Sequence, residues 1–251
     1  KGTGVNPLRG QNNVQGACDM GALPNVFTGY QAVANNDAVS KFENAWGTKL
    51  SNKVGLTVTE TIPAADHGDV KMLYIMGENP MISDPDTNHV KSALEKVFLV
   101  VQDIFLTETA ELADVVLPAA AFAEKDGTFT NTDRRVQRIR RAVDAPGEAK
   151  PDWVILTELM NRLGYNCSYN SAEDIFDEMR SLTPSYAGMT YERIDKEGLC
   201  WPCPTEDHLG TPILHIGKPV RGKGLLKALE WIQSPELDKA EYPYILTTGR
   251  I

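Results

Sequence analysis

Three apolar runs without polar alternation constrain the fold of this chain more than any other feature. They lie at residues 70–76, 98–101 and 115–117. A helical pattern from Asp86 or Thr87 separates the first two runs, and a shorter one over residues 108–113 separates the last two. Strands that are buried on both faces of a sheet have this composition. The β–α–β–α–β order therefore predicts an α/β fold, a parallel-sheet αβα sandwich.

The segments on either side of the predicted sheet carry weaker patterns. Ahead of it, residues 47–69 have the composition of a loop. Behind it, short extended pieces at 128–130 and 136–139 precede two predicted helices, the first capped by Asp152 and the second starting at Ser171.

The chain divides into three predicted parts. Residues 183–240 contain many Pro and Gly and show little periodicity, which favours a peripheral region and a linker. Residues 244–248 have a strand pattern, which favours a fragment that continues into a further domain. We therefore expect an α/β domain over 1–165, a peripheral helical and loop region over 166–240, and the first strand of a truncated domain over 241–251.

A dense set of amides marks residues 6–21. The amides are Asn6, Gln11, Asn12, Asn13 and Gln15. The same segment holds one permanent cation, Arg9, and is interrupted by glycines. Amides both donate and accept hydrogen bonds, arginine presents a rigid fork of donors to a carboxylate, and glycine lets backbone approach a ligand. By composition alone, a ligand-binding segment and a polar surface loop are equally good interpretations.

Three polar loops follow the carboxyl ends of the predicted strands, where ligands bind in open parallel sheets. They begin at Gly77, Gln102 and Pro118. Asp103 has the acceptors for a guanine-like edge, and Asn79, Thr107 and Asn131 have polar groups for phosphate or pterin. When each residue is considered singly, a structural role in a strand-end turn or helix cap explains Asn79 and Thr107 as well as ligand binding does. Taken together at one sheet edge, the loops favour a ligand pocket.

These segments resemble the molybdenum- or tungsten-dependent formate dehydrogenases, catalytic subunits of the bis-pterin oxidoreductase family. The similar stretches are Arg-Gly-Gln-Asn-Asn-Val-Gln-Gly at 9–16, Tyr-Ile-Met-Gly-Glu-Asn-Pro at 74–80, Val-Gln-Asp-Ile-Phe-Leu-Thr-Glu-Thr-Ala-Glu-Leu-Ala-Asp-Val-Val-Leu-Pro at 101–118, and Gly-Thr-Phe-Thr-Asn-Thr-Asp-Arg-Arg-Val-Gln at 127–137. The resemblance is specific from about Gly4 to Gly164 and looser from there to Ile251.

The resemblance implies part of a molybdopterin-binding α/β domain that leads toward a β-rich cap domain. It implies that Arg9 holds the formate carboxylate, with Gln11 beside it, as catalytic residues. The strand-end loops would hold one of two molybdopterin guanine dinucleotides. The cofactor-binding residues expected on this basis are Gly77, Glu78, Asn79, Gln102, Asp103, Thr107, Thr109, Gly127, Thr128, Asn131 and Arg134.

On the same resemblance, the intact protein oxidises formate to CO2 at a molybdenum or tungsten centre. Its electrons would pass to a [4Fe–4S] cluster and then to iron–sulfur or flavin electron-transfer subunits. The family's cluster-binding cysteines, and its metal-ligating Cys or selenocysteine followed by His, do not occur in this sequence. We therefore expect no metal ligand here, and a fragment that is inactive alone.

Two alternatives stay open at this stage. A pterin-free relative, such as the large iron–sulfur subunit of respiratory complex I, would keep the fold as an electron-transfer subunit. The intact segment 9–13 counts against it, because a subunit without substrate has no use for that chemistry. Another molybdopterin oxidoreductase, such as a nitrate reductase, is the second alternative, and Arg9 with the amides at 11–13 favours formate.

Composition excludes some functions. The net charge of −9 argues against a nucleic-acid partner, and no apolar run approaches the ~18 residues that span a membrane. Four cysteines fit a reducing compartment, so a cytoplasmic location is expected, with the periplasm as the alternative. Cys200 and Cys203 are expected to be packed rather than redox-active, because no helix pattern follows them. The five arginines of residues 134–141 predict a solvated strand edge balanced by acids, with phosphate or subunit contact as the alternative.

Overall fold

The computed structural model describes residues 10–217, 222–233 and 241–245. Arg9, and residues 246–248 of the predicted last strand, lie outside the described residues. The helices and strands of the described part are, in chain order, α1 (Val14–Asp19), β1 (Val26–Phe27), β2 (Gln31–Ala32), α2 (Asn36–Trp46), α3 (Val58–Asp66), β3 (Met72–Met76), α4 (Pro80–Ser83), α5 (Thr87–Leu94), β4 (Phe98–Asp103), β5 (Val115–Pro118), β6 (Gly127–Thr130), β7 (Arg135–Ile139), α6 (Asp152–Arg162), α7 (Ala172–Leu182), α8 (Tyr191–Ile194) and β8 (Leu199–Cys200). Short 3₁₀ helices lie at Thr28–Tyr30, Ala110–Leu112 and Phe122–Glu124.

The strands β3, β4 and β5 form the parallel sheet that the sequence predicts. β4 lies in the middle, with Leu99 beside Leu73 and Val101 beside Val116. Leu99 and Val101 on one face, and Val100 and Gln102 on the other, are all buried, as expected for a central strand packed on both faces. The α/β fold class is therefore confirmed.

Helices pack on one face of this sheet, and one helix contacts the other face at its N-terminal end. On one face α3 and α5 bury an aliphatic core that includes Ile62, Val90 and Leu94. The side chain of Asp86 accepts from the backbone N–H of His89 and caps α5, as predicted. On the other face α6 reaches the sheet at its first residue, Asp152, which accepts a hydrogen bond from Gln102.

The prediction of a loop over residues 47–69 is wrong, because α3 lies within it. Its start is fixed by a capping box in which the Glu60 carboxylate accepts from the Thr57 backbone N–H at 2.8 Å. Only Ile62 and Ala65 are buried along the helix, and Pro63 lies inside it. Two inward residues and a proline leave too short a pattern for helical periodicity to be read from the sequence.

A second buried core lies where the sequence predicts little order. β7 pairs with β6 on one side and β8 on the other, all antiparallel, and α7 and α8 pack against this three-stranded sheet. Its largest buried side chains include Tyr186, Met189 and Ile194. Beyond α7 this core is built from turns and the one-turn helix α8, which carry no period of 2 or 3.6. The three-part division at residues 165 and 240 stays a prediction.

The two helices after this sheet begin close to where the sequence places them. Ser171 caps α7 as predicted, its hydroxyl accepting from the Asp174 N–H at 3.2 Å. Asp152, by contrast, is the first residue of α6 rather than its cap, and Pro151 precedes it without a side-chain cap. The helices of the described ranges are all too short or too polar to cross a bilayer.

Candidate functional site

The amide-rich segment is docked onto β6 through a single side chain. Asn13 takes a left-handed conformation, with φ of 58°, immediately before α1. Its side-chain oxygen accepts from the Thr130 backbone N–H at 2.9 Å. This contact joins residues 117 positions apart in the chain. It therefore brings the amide segment against the third of the predicted strand-end loops.

Gly16 makes this docking sterically possible. A Cβ at this position would lie 2.1 Å from Asn13 Oδ1 and 3.3 Å from the Thr130 nitrogen. Any side chain at position 16 would therefore displace the Asn13 amide from its partner. Gly16 thus makes room for a side chain of the protein itself, whereas the sequence analysis expects the glycines of this segment to let backbone approach a ligand.

A pocket of about 410 Å³ opens between residues 10–15 and residues 129–137, and we call it the amide pocket. Two predicted site residues, Gln11 and Asn131, both line it. Asn12 and Gln137 add further amides, and an apolar wall comes from Phe122 and Phe129, whose ring centroids lie 6.4 Å apart. The volume is that of a small-molecule site.

Sequence reasoning missed part of this lining. Gln137 lies opposite Phe129 in the β6–β7 pairing, so the hairpin register places it on the pocket. The turn residues between two extended runs carry the signal that could have found it. Phe122 precedes the hairpin on a one-turn 3₁₀ helix, for which the sequence offers no pattern.

The first two predicted loops are tied to each other. Asn79 Oδ1 accepts from the Thr109 hydroxyl at 2.7 Å and from its N–H at 3.3 Å, while Asn79 Nδ2 donates to Glu108 at 2.8 Å. Gly77, with φ of 64°, begins this loop and donates to the Gln102 carbonyl at 2.9 Å. Thr107 caps the following turn by accepting from the Ala110 N–H. The loops at 77–80 and 102–109 are therefore hydrogen-bonded to each other at the carboxyl-terminal edge of the parallel sheet.

Gln102 is the buried centre of that edge. It is fully inaccessible, accepts from the Tyr74 hydroxyl and donates to Asp152 at 2.7 Å. Asp152 also pairs with Lys125, which lines a smaller pocket of about 240 Å³ together with Gly127 and Thr128.

Asn13 lines this smaller pocket as well. A continuous polar chain thus runs from the sheet edge to the pockets beside the hairpin. Gly127 and Thr128 lie in this region, as the resemblance suggests, although their contact with a cofactor stays a prediction.

The remaining predicted residues are held by the protein itself. The Asp103 carboxylate accepts from the Ile104 N–H at 2.6 Å. The side chain of Asn131 accepts from the Arg135 N–H at 2.9 Å and closes the β6–β7 turn. Arg134 donates to the carbonyls of Trp201 and Thr211 and lies 5.4 Å from the Trp201 ring. To bind a cofactor as predicted, these side chains must do so while they keep these hydrogen bonds.

Acids balance the rest of the arginine run, as predicted, but the predicted strand edge is wrong, because β7 lies between β6 and β8. Arg140 pairs with Asp195 and Arg141 with Asp144. Arg138 is largely buried and lies 3.7 Å from the centre of the Tyr191 ring. Burial raises the pKa of Tyr191 to about 12, against the opposing effect of the Arg138 charge.

Cys200 and Cys203 are buried free thiols, packed as the sequence suggests. Burial raises the pKa of the Cys200 thiol, which disfavours the reactive thiolate. Across the described ranges there is no cluster of three or more His, Cys, Asp or Glu side chains that could hold a metal ion.

Comparison with known proteins identifies the class to which this fold and site belong. The family model for molybdopterin oxidoreductases matches residues 1–162, which is more than half of the chain. The chain therefore belongs to the molybdopterin oxidoreductase family, and this membership implies a molybdopterin cofactor with molybdenum or tungsten.

Among curated proteins, the F420-dependent formate dehydrogenase subunit alpha of Methanocaldococcus jannaschii is 59% identical over 256 residues, covering 100% of this chain and 38% of that protein. Formate dehydrogenase H of Escherichia coli is 42% identical, covering 98% of this chain and 36% of that protein. The chain thus spans a little over a third of the length of these relatives. A solved structure, acetylene hydratase from Pelobacter acetylenicus, aligns with a TM-score of 0.48 and 22% identity over 64% of this chain and 23% of that one.

The residues of the amide pocket fit a pterin. A pterin is a flat heterocycle whose edge carries both hydrogen-bond donors and acceptors. The amides of Gln11, Asn12 and Gln137 offer both kinds of group, and the phenylalanine wall offers an apolar surface to the ring face.

Proposed function

We propose that this chain is part of the catalytic subunit of a formate dehydrogenase. The observation that carries the proposal is the amide pocket, in which the segment after Arg9 meets the β6–β7 turn through the bond between Asn13 and Thr130. The names of the relatives support formate as the substrate, as does the intact segment 9–13. The reaction removes two electrons and one proton from formate and releases CO2.

In this proposal the chain's own residues bind and orient. Arg9 holds the formate carboxylate, because its fixed charge and paired donors match two carboxylate oxygens. Gln11 lies in the amide pocket and would place its amide beside the substrate or the pterin. The two connected loops, 77–80 and 102–109, would hold the remainder of one molybdopterin guanine dinucleotide. When bound, the molybdenum or tungsten centre supplies the two-electron acceptor.

The partners are proposed on the same basis. Relatives at 59% identity are named as alpha subunits, so we expect other subunits that receive the electrons, through a [4Fe–4S] cluster and then iron–sulfur or flavin centres. Those relatives are named F420-dependent. F420 is therefore the terminal electron acceptor that should be assayed first. A cytoplasmic location stays a prediction from the cysteine content.

The experiment that tests this function compares Arg9→Lys with the wild type in a protein of the full length of its relatives. We expect kcat/KM for formate to fall at least about 100-fold, since lysine cannot form the paired contact, with metal and pterin contents unchanged. The matched control is Arg162→Lys, an exposed arginine of α6 that pairs with Glu158. It should leave kcat/KM unaltered.

Two results would count against the proposal in different ways. Unchanged kinetics in Arg9→Lys would remove the role of Arg9. A wild-type protein that carries pterin and metal but reduces nitrate and not formate would replace the substrate, and one that carries no pterin would favour the structural relative of complex I.

A further inference from the structure

A fully buried carboxylate lies beneath the amide pocket. Asp19, the last residue of α1, is completely inaccessible to solvent. Its Oδ1 accepts from Gln15 Nε2 at 2.7 Å and from the Tyr30 hydroxyl at 2.8 Å. Its Oδ2 accepts from the Tyr186 hydroxyl at 2.5 Å and from Trp201 Nε1 at 2.7 Å. Four donors from four separate segments thus converge on one side chain.

All four donors are neutral, and no ion pair to Asp19 is found among the described residues. A buried carboxylate without a cation is costly unless its oxygens are saturated with hydrogen bonds. Each oxygen here has one partner that can only donate, Gln15 Nε2 for Oδ1 and Trp201 Nε1 for Oδ2. The hydrogen-bond network therefore requires an acceptor atom at both Oδ1 and Oδ2 of residue 19.

The carboxylate fixes the orientation of one amide in particular. Gln15 Nε2 donates both to Asp19 and to the Tyr30 hydroxyl, at 2.7 and 2.8 Å, so its two N–H groups are both used. The opposite orientation would place the Gln15 oxygen against the carboxylate. The atom of this amide that remains for a ligand is Oε1, and Gln15 lines the amide pocket.

We propose that Asp19 is a positioning residue that makes Gln15 a pure hydrogen-bond acceptor in the amide pocket. This wall of the pocket then selects a ligand group with an N–H donor, such as the edge of a pterin, and disfavours an oxyanion at the same place. The inference deepens the proposed function and rests on it for the identity of the ligand.

The surroundings keep this arrangement rigid. The Trp201 ring lies 6.2 Å from that of Tyr30 and 6.5 Å from that of Tyr186, so the donors pack on each other as well as on Asp19. Burial, followed by the charge of Asp19, raises the pKa of Tyr186, which keeps its hydroxyl a donor at working pH. The second core thereby holds α1, and with it the pocket wall, in one position.

Asp19→Asn in the full-length holoprotein tests the inference, because it changes hydrogen bonding without changing volume. Trp201 can only donate, so the new amide must keep its oxygen toward Trp201 and turn its NH2 toward Gln15. The Gln15 amide then reverses and presents N–H groups to the pocket. We expect the pterin to be lost about tenfold faster, the equivalent of one misplaced hydrogen bond. The readout is pterin retained after timed dilution.

Two further variants separate positioning from general destabilisation. Tyr169→Phe removes another part-buried hydrogen bond of similar length, from the Tyr169 hydroxyl to Glu178 at 2.8 Å, at residues that belong neither to the amide pocket nor to the set of Asp19 donors. It should lower thermal stability yet leave pterin retention unchanged. Gln15→Met should speed pterin loss by itself, and Asp19→Asn should add nothing further in that background if it acts through Gln15.

The outcomes decide the inference independently of formate oxidation. Equal effects of Asp19→Asn and Tyr169→Phe on pterin retention would overturn the positioning role, as would full additivity of Asp19→Asn with Gln15→Met or a wild-type protein without pterin. If pterin retention ranks the variants in the expected order but the protein does not oxidise formate, the role of Asp19 is supported and the proposed substrate is rejected.

Discussion

Replacing Gly16 with alanine should detach the amide segment from β6. The new Cβ would meet Asn13 Oδ1 at 2.1 Å, and the flexible amide would move away rather than force the backbone apart. Asn13 would then lose its hydrogen bond to the Thr130 N–H, now 2.9 Å long. Because Thr130 is only 3% exposed, its N–H would be left without water as a substitute partner.

The net cost follows from the loss of one hydrogen bond. Leaving the Thr130 N–H buried without a partner costs about 1–3 kcal/mol, a figure that already includes the lost bond. Alanine favours the helical backbone by about 1 kcal/mol over glycine, but this gain stabilises α1 itself and not its contact with β6. The docking of α1 should therefore weaken by about 1–3 kcal/mol, which corresponds to roughly a 5- to 150-fold loss of protection against amide hydrogen exchange.

Hydrogen exchange followed by mass spectrometry measures this locally, in peptides that cover residues 13–19 and 128–131. Gly224→Ala is the matched control, because a Cβ there meets nothing within 4 Å. Wild-type exchange rates of both variants in these peptides would exclude this role of Gly16, as would a Gly16→Ala effect that is confined to distant peptides.

Three further predictions concern the sheet edge and the second core. Asn79→Leu leaves the O–H of the fully buried Thr109 without an acceptor, so amides of the 77–80 and 107–112 loops should lose about tenfold protection in hydrogen exchange. Wild-type protection would contradict the hydrogen-bonded connection between the two loops. Iodoacetamide at neutral pH should label Cys167 before Cys200, because Cys200 is buried and its thiol pKa is raised; equal labelling rates would oppose this. Burial raises the folded-state pKa of Tyr186 above its unfolded value of about 10, so its contribution to stability is complete below that pH and is lost above it. Unfolding midpoints should therefore fall less steeply with alkaline pH in Tyr186→Phe than in the wild type, and parallel slopes would exclude this.

The parallel sheet could be predicted because its strands are long, apolar and unalternated. Residues 98–101 form such a run, and the structure places it at the centre of the sheet. The helix at 58–66 could not be predicted, since its start depends on one capping box and its length gives only two inward positions. Burial in the second core depends on contacts between distant turns, such as that of Tyr186 with Asp19, and local patterns do not encode those.

The candidate site, too, could be predicted from the sequence only in part. Gln11 and Asn131 were found from residue chemistry and family resemblance, and they do share a pocket. Gln102 and Asn79 were expected to face a cofactor, whereas the structure uses their side chains to join loops and helices within the chain. Residue type indicates which groups can bind, but the partner that each group meets depends on tertiary packing. The roles of Gln102 and Asn79 toward a cofactor stay predictions. The burial of Asp19 could not be predicted, because an aspartate in a polar segment carries no sequence signal of burial.

A structure of the full-length protein with its cofactor, determined by cryo-electron microscopy, would show whether the amide pocket holds the pterin. We expect a pterin ring in this pocket, with a ring N–H within about 3.2 Å of Gln15 Oε1 and an amide of Gln11 or Asn131 at hydrogen-bond distance. A cofactor bound elsewhere, with this pocket filled by another part of the chain, would contradict it.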